Sequence, residues 1–196
     1  MIQSNEKDEV REAIISAAAL VFRKYGFRKT TMDEIALAAH KAKSSLYYYF
    51  GSKEEVFQAV VEKEALSLRA NLSNAVNALN DPRGKLKAYI STRMQSLEEL
   101  ANFYDAIHNE QLTHFDFIGR IRQKQDKEEV VMMQNILIDG VARKTFQVED
   151  TELAAIAIVI AIKGLEIPLL TTSRIENIDL HLDHLLDILL YGLVKR

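Results

Sequence analysis

Hydrophobic positions recur at the helical interval along almost the whole chain, and the alternating pattern of a strand is absent. Val10, Ala13, Ile14, Ala17, Ala18, Val21, Phe22 and Tyr25 form one stripe, which predicts a first helix from Asp8 to Tyr25 with Gly26 as its stop. Thr31 followed by Glu34 is a capping box, in which hydroxyl and carboxylate satisfy orphan backbone amides, and it opens a short helix through Ala39. A break over His40, Lys41 and Ala42 precedes a third helix, Lys43 to Phe50. Ser52 with Glu55 is a second capping box. It starts a long helix carrying Val56, Phe57, Val60, Val61, Leu68, Leu72, Val76 and Leu79, ending at Asn80, with Asp81 and Pro82 restarting the chain. The same periodicity predicts further helices over 82–101, 103–116, 118–146, 151–171 and 178–195. The fold class is therefore all-α: three short helices, residues 1–52, followed by a long-helix body, residues 53–196.

The third helix has an unusual face. Leu46, Phe50 and part of Tyr49 point inward on a helical wheel, which leaves Ser44, Ser45, Tyr47 and Tyr48 outward, with Lys43 at the exposed start. Small hydroxyls, phenols and a lysine on a short helix after a tight turn suit base edges and phosphates in a major groove. The competing account is a structural corner whose tyrosines pack on neighbours. Charge distribution favours the first. The 196-residue chain carries a net charge of −3, which argues against nucleic acid in bulk. Between Arg23 and Lys53, however, seven cations face two anions, a local +5 that leaves −8 for the remainder.

The stretch from Thr30 to Phe57 resembles the DNA-binding domain of the tetracycline-repressor (TetR) family of bacterial regulators. The resemblance lies in Thr30 to Ala36, in Leu46 to Phe50, and in Ser52 to Phe57, which opens the fourth helix. It covers about 50 N-terminal residues; the remainder matches only in length and all-helical layout. The resemblance implies phosphate contacts from Thr31, Tyr47, Tyr49 and Lys53, and base-edge contacts from Lys43, Ser44, Ser45 and Tyr48. Where the family usually has Gly-Val-Ser in the turn, this chain has His40, Lys41 and Ala42. His enters the left-handed conformation less readily than Gly, and Ala forgoes a hydroxyl N-cap.

Leu153 to Ile162 is apolar on every face, so a helix there must be covered on both sides. Residues 178–195 add a stripe at Ile178, Leu182, Leu185, Leu186, Leu189, Leu190 and Leu193. Both features point to a homodimer through 151–171 and 178–195, which the resemblance also implies; two-fold symmetry would set two third helices about 34 Å apart on a palindromic operator. The resemblance further implies a pocket for a small apolar effector whose binding rotates the fourth helix and releases the operator. Its candidate lining is Tyr89, Met94, Phe103, Tyr104, His108, Phe115, Met133 and Glu166; the same residues also suit a plain core.

Several classes recede. There are no cysteines, hence no disulfide, thiolate metal site or cysteine nucleophile. No Ser/His/Asp set, phosphate-binding glycine loop or working carboxylate pair stands out, so no enzyme activity and no cofactor are expected. His108, Glu110 and His114 spread around a helix, and His181, His184 and Asp187 read as a solvated face, so no metal is expected. The start is polar and acidic rather than a secretory signal, and the longest apolar run is about half the roughly 20 residues a membrane helix needs, which predicts a cytoplasmic protein. The alternative to a DNA-binding regulator is a helical protein or enzyme that binds a hydrophobic ligand without DNA.

Overall fold

The computed structural model describes residues 2–171 apart from 110, 111 and 113, with side chains from 7 to 164 except those of Glu98 and His108. The predicted helix 178–195, with His181, His184 and Asp187, lies outside the described residues, as does Glu110. The described residues form eight helices and no strand: α1 (Ile2–Lys29), α2 (Met32–Ala38), α3 (Lys43–Tyr49), α4 (Lys53–Asn77), α5 (Pro82–Glu99), α6 (Ala101–His108), α7 (Asp116–Ala142) and α8 (Thr151–Thr171).

Several boundaries differ from the sequence expectation. Gly26 does break α1, at φ +75° and ψ 161°, but one more helical turn follows it, and α1 begins at Ile2 rather than Asp8. Helix α6 stops at His108 rather than 116 because Asn109 turns extended, its N–H donating to the Asp105 carbonyl at 2.8 Å. Asp81 is an N-cap, its carboxylate accepting from Gly84 N–H at 2.7 Å. The Ser52 box is displaced by one residue. Ser52 Oγ accepts from Glu55 N–H at 3.1 Å, but the Glu55 carboxylate accepts from Gly51 N–H, at 2.8 Å.

The chain divides into two compact units. Unit 1 comprises 1–67 and 100–121, and unit 2 comprises 68–99 and 122–196. In unit 1, Ile14, Ile15, Ala18 and Phe22 of α1 are buried, as are Ile35 and Ala36 of α2, Leu46 and Phe50 at α3, and Val56, Phe57, Val60 and Val61 of α4. Ala39 is half-buried, and Met32 is buried at the start of α2. Phe27 lies 4.9 Å from Phe57 and 5.5 Å from Phe115, centroid to centroid, so the end of α1 is anchored by rings.

One buried carboxylate organises this unit. Glu64 of α4 accepts from the N–H of Phe103 and from Asn102 Nδ2, each at 2.7 Å, and Asn102 also donates to the Ala19 carbonyl at 3.0 Å. Glu64 thereby caps the first turn of α6, where orphan amides favour an anion. Burial pushes its carboxyl up from the ordinary range, partly offset by the bonds from Asn102 and Phe103.

In unit 2 the core includes Leu72, Tyr89, Ile90, Met94, Met133, Ile136 and Leu137. Arg93 and Glu129, each about 1% exposed, form an ion pair within it, and the Tyr89 hydroxyl donates to the same carboxylate. Among the described side chains of α8 the stripe Ala155, Val159 and Ile162 is buried, while Leu153 and Ile160 are 63% and 64% exposed. No helix among the described residues is long and apolar enough to cross a membrane.

Candidate nucleic-acid interface

The α2–turn–α3 segment is built from local hydrogen bonds that its sequence dictates. Thr31 Oγ accepts from Glu34 N–H at 3.3 Å, and the Glu34 carboxylate accepts from Thr31 N–H at 2.8 Å, which closes the expected capping box. The far end of α2 is a Schellman motif. His40 N–H donates to the Leu37 carbonyl at 3.1 Å, Lys41 N–H donates to Ala36 at 2.9 Å, and His40 sits in the left-handed region at φ 53°. The turn that glycine would make easily is thus made by a histidine. Ala42 follows as the N-cap of α3 and contributes no side-chain bond.

Leu46 is completely buried and Phe50 nearly so, which fixes the inner face of α3. Ser44 is exposed, Ser45 and Tyr49 are half-buried, and Tyr47 and Tyr48 are 47% and 69% exposed. Tyr49 packs edge-on against Tyr48 with ring centroids 5.1 Å apart. The Lys43 ammonium lies 2.9 Å from the Asp33 carboxylate of α2, an exposed pair that raises the lysine's pKa through its hydrogen bond and charge.

Two more of the predicted contact residues, besides Lys43, are engaged within the protein. Thr31 is committed to its capping box, where its hydroxyl also donates to Glu34 at 2.9 Å. Lys53 reaches back to the end of α1, donating to the carbonyls of Phe27 and Thr30 at 2.9 and 3.0 Å. Its ammonium therefore fastens the chain just after Gly26, close to where Thr30 Oγ donates to the Gly26 carbonyl at 2.9 Å. Sequence spacing placed Lys53 at a helix start and could not show that α1 ends beneath it.

The structure also adds residues that sequence reasoning passed over. Lys7 of α1 lies over the Tyr48 ring and Arg11 over the Phe50 ring, at 5.0 and 5.1 Å from the centroids. Their spacing of four on an N-terminal helix was the available signal.

The candidate effector-pocket residues fall into both units. Tyr89, Met94 and Met133 are buried in unit 2, whereas Phe103, Tyr104 and Phe115 belong to unit 1. Phe103 and Tyr104 pack edge-on at 5.3 Å, and half-buried Phe115 stacks on Phe117 at 5.5 Å. The side chains of His108 and Glu166 lie outside the described residues. Within unit 2, a cleft of about 440 Å³ runs between α4 and α7, lined by Arg69, Leu72, Gln125, Glu129, Met132 and Asn135 among others. None of the predicted pocket residues with described side chains lines it. Among the described residues no group of three His, Asp or Glu side chains could hold a metal ion.

Residues 14–60 match the model of the tetR family of bacterial regulatory proteins. The transcriptional repressor NicS of Pseudomonas putida is 30% identical over 102 residues, which is 52% of this chain and 43% of that protein. The chain spans about half the length of the curated relatives it matches. A transcriptional regulator from Cytophaga hutchinsonii superposes with a TM-score of 0.76 at 26% identity, covering 92% of this chain and 96% of that one. FadR of Bacillus subtilis, solved with stearoyl-CoA, shares the fold with a TM-score of 0.76 at 18% identity, covering 93% and 99%. The capped helix–turn–helix thus lies inside the segment that matches the tetR family of bacterial regulatory proteins, and the all-helical body shares the fold of these solved regulators.

Proposed function

We propose that the protein is a transcriptional repressor that binds a palindromic operator as a homodimer and is released by an apolar effector. The observation that carries the DNA half is the exposed face of α3, where Ser44, Tyr47 and Tyr48 stand outward on a helix fixed by buried Leu46 and Phe50. On this account Ser44, Ser45, Tyr48 and Lys43 meet base edges, and Tyr47, Tyr49, Thr31 and Lys53 serve the phosphate backbone. Lys53 does so while fastening the end of α1. Lys43 must exchange Asp33 for its DNA partner. The repressor assignment is supported by the repressor NicS among the relatives.

Residues 1–52, together with Lys53 at the start of α4, form the DNA-contacting part, and the rest of 53–196 forms the sensing and dimerising part. Dimerisation is supported by α8, on which the apolar Leu153 and Ile160 stand exposed. The effector class is a long acyl chain carried on a polar head. It is supported by the shared fold with a FadR bound to stearoyl-CoA and by the cleft along α4 and α7, whose lining is part apolar and part polar. Helix α4, which supplies residues to both units, carries the signal.

The test is a mobility-shift titration on a duplex selected from a randomised pool, with and without stearoyl-CoA. Binding to one inverted repeat by two chains, weakened by the thioester, is the expected outcome. Failure to select any sequence sinks the DNA half, and indifference to the thioester sinks the effector class.

A further inference from the structure

The N-terminal part of α1 lays two cations on aromatic rings at α3. The Lys7 ammonium is 5.0 Å from the Tyr48 centroid, and the Arg11 guanidinium carbon is 5.1 Å from that of Phe50. Four residues apart, the two cations share one face of α1. The rings they cover differ in kind. Phe50 is 3% exposed and locked in the core, so Arg11 adds to a contact that is already fixed. Tyr48 is mostly exposed, with Lys7 over its face and Tyr49 at its side to restrain it.

An exposed phenol that hops among rotamers must be frozen when it meets a base, and the lost freedom weakens binding. A cation over the ring face restrains it beforehand, in the free protein. We propose that Lys7 is a positioning residue for DNA specificity, holding the Tyr48 ring in the orientation in which α3 presents it to the groove. This inference rests on Tyr48 as a base contact. It separates Lys7 from a lysine that neutralises phosphate, because a phosphate contact strengthens binding to every sequence alike.

The experiment uses the full chain with two probes, a duplex selected by the wild-type protein and a scrambled duplex of equal length. For Lys7→Ala the ratio of the two affinities falls about three- to fivefold, with the salt slope on the scrambled duplex unchanged. In a Tyr48→Leu background the same substitution leaves that ratio where Tyr48→Leu alone put it. Lys7→Arg, which keeps a cation over the ring, restores the wild-type ratio. An equal loss on both duplexes with a flatter salt slope, or an undiminished effect in the Tyr48→Leu background, overturns the proposal and makes Lys7 a phosphate contact. If Tyr48→Leu itself leaves the ratio unchanged, the assignment of Tyr48 falls and the proposal with it, whereas a Tyr48→Leu effect without a Lys7→Ala effect overturns the positioning role alone.

Discussion

The ammonium of Lys53 lies 4.4 Å above the ring of Phe27 and 2.9 Å from the same residue's carbonyl oxygen, tying the first turn of α4 to the end of α1. A lysine at this position therefore acts on the fold before it acts on DNA. Replacing it by Met, which keeps the stem, removes a charge-assisted cap. We expect a loss of about 1.5–3 kcal/mol in chemical denaturation, together with weaker binding to all duplexes. An unchanged denaturation midpoint would mean that these carbonyl bonds contribute nothing.

The α2–α3 turn contains strain that can be relieved. His40 occupies the left-handed region that glycine enters freely, at a cost of about 1–2 kcal/mol for a residue with a β-carbon. His40→Gly should stabilise the protein by about 1 kcal/mol, since part of the relief is lost to the unfolded chain's extra freedom. Ala42→Ser should add about 1 kcal/mol by supplying the missing N-cap oxygen. Thermal melts of the two single variants and their double variant check both expectations.

Glu64 makes stability depend on pH in a defined direction. Its folded carboxyl titrates above its ordinary value, chiefly through burial, so the folded protein holds that proton more tightly than the unfolded chain. The stability linked to this group is greatest below its unfolded value and declines as pH rises through its folded value. Glu64→Gln removes this contribution. The wild-type minus variant difference in unfolding free energy, measured from about pH 4 to pH 8, should shrink as pH rises. Glu64→Ala should cost about 1–3 kcal/mol, because the donors Phe103 N–H and Asn102 Nδ2 lose their acceptor.

Arg93 and Glu129 give a sharper contrast. Removing Arg93 leaves the buried Glu129 with only the more distant Lys163 ammonium, at 3.5 Å, as a cation among the described residues, so Arg93→Met should cost about 3 kcal/mol. Adding Glu129→Leu should recover part of that loss. Urea denaturation of the single and double variants distinguishes this from simple loss of packing, in which the two losses would add.

Helix positions, capping boxes and the outward face of α3 were legible because each rests on residues within four of one another. Thr31 with Glu34, Asp81 before Pro82, and the break at Gly26 all follow from short-range chemistry. What escaped depends on distance along the chain. Lys53 meets Phe27 and Thr30 from more than twenty residues away, and Lys7 meets Tyr48 from about forty. The pocket candidates were chosen for size and apolarity, and such residues fill any core. Phe115 accordingly joins the ring cluster of Phe27 and Phe117, while the cleft of unit 2 is lined largely by polar residues that this criterion passed over. Arg93 and Glu129 lie 36 residues apart, and their pairing depends on α5 meeting α7.

The Lys43–Asp33 pair bears on how the protein searches a genome. A cation already matched by a carboxylate on the neighbouring helix offers little net charge to a random stretch of duplex. On the proposed function, the exchange of Asp33 for DNA is favourable only where a base edge rewards Lys43, which would suppress indiscriminate sticking and reserve dwell time for the true site. Asp33→Asn should accordingly tighten binding to scrambled DNA, steepen its salt slope by about one and narrow the gap between operator and background. Filter-binding titrations across a salt series would measure all three. On that reading Asp33 taxes every encounter with DNA alike, and only the operator repays the charge it withholds.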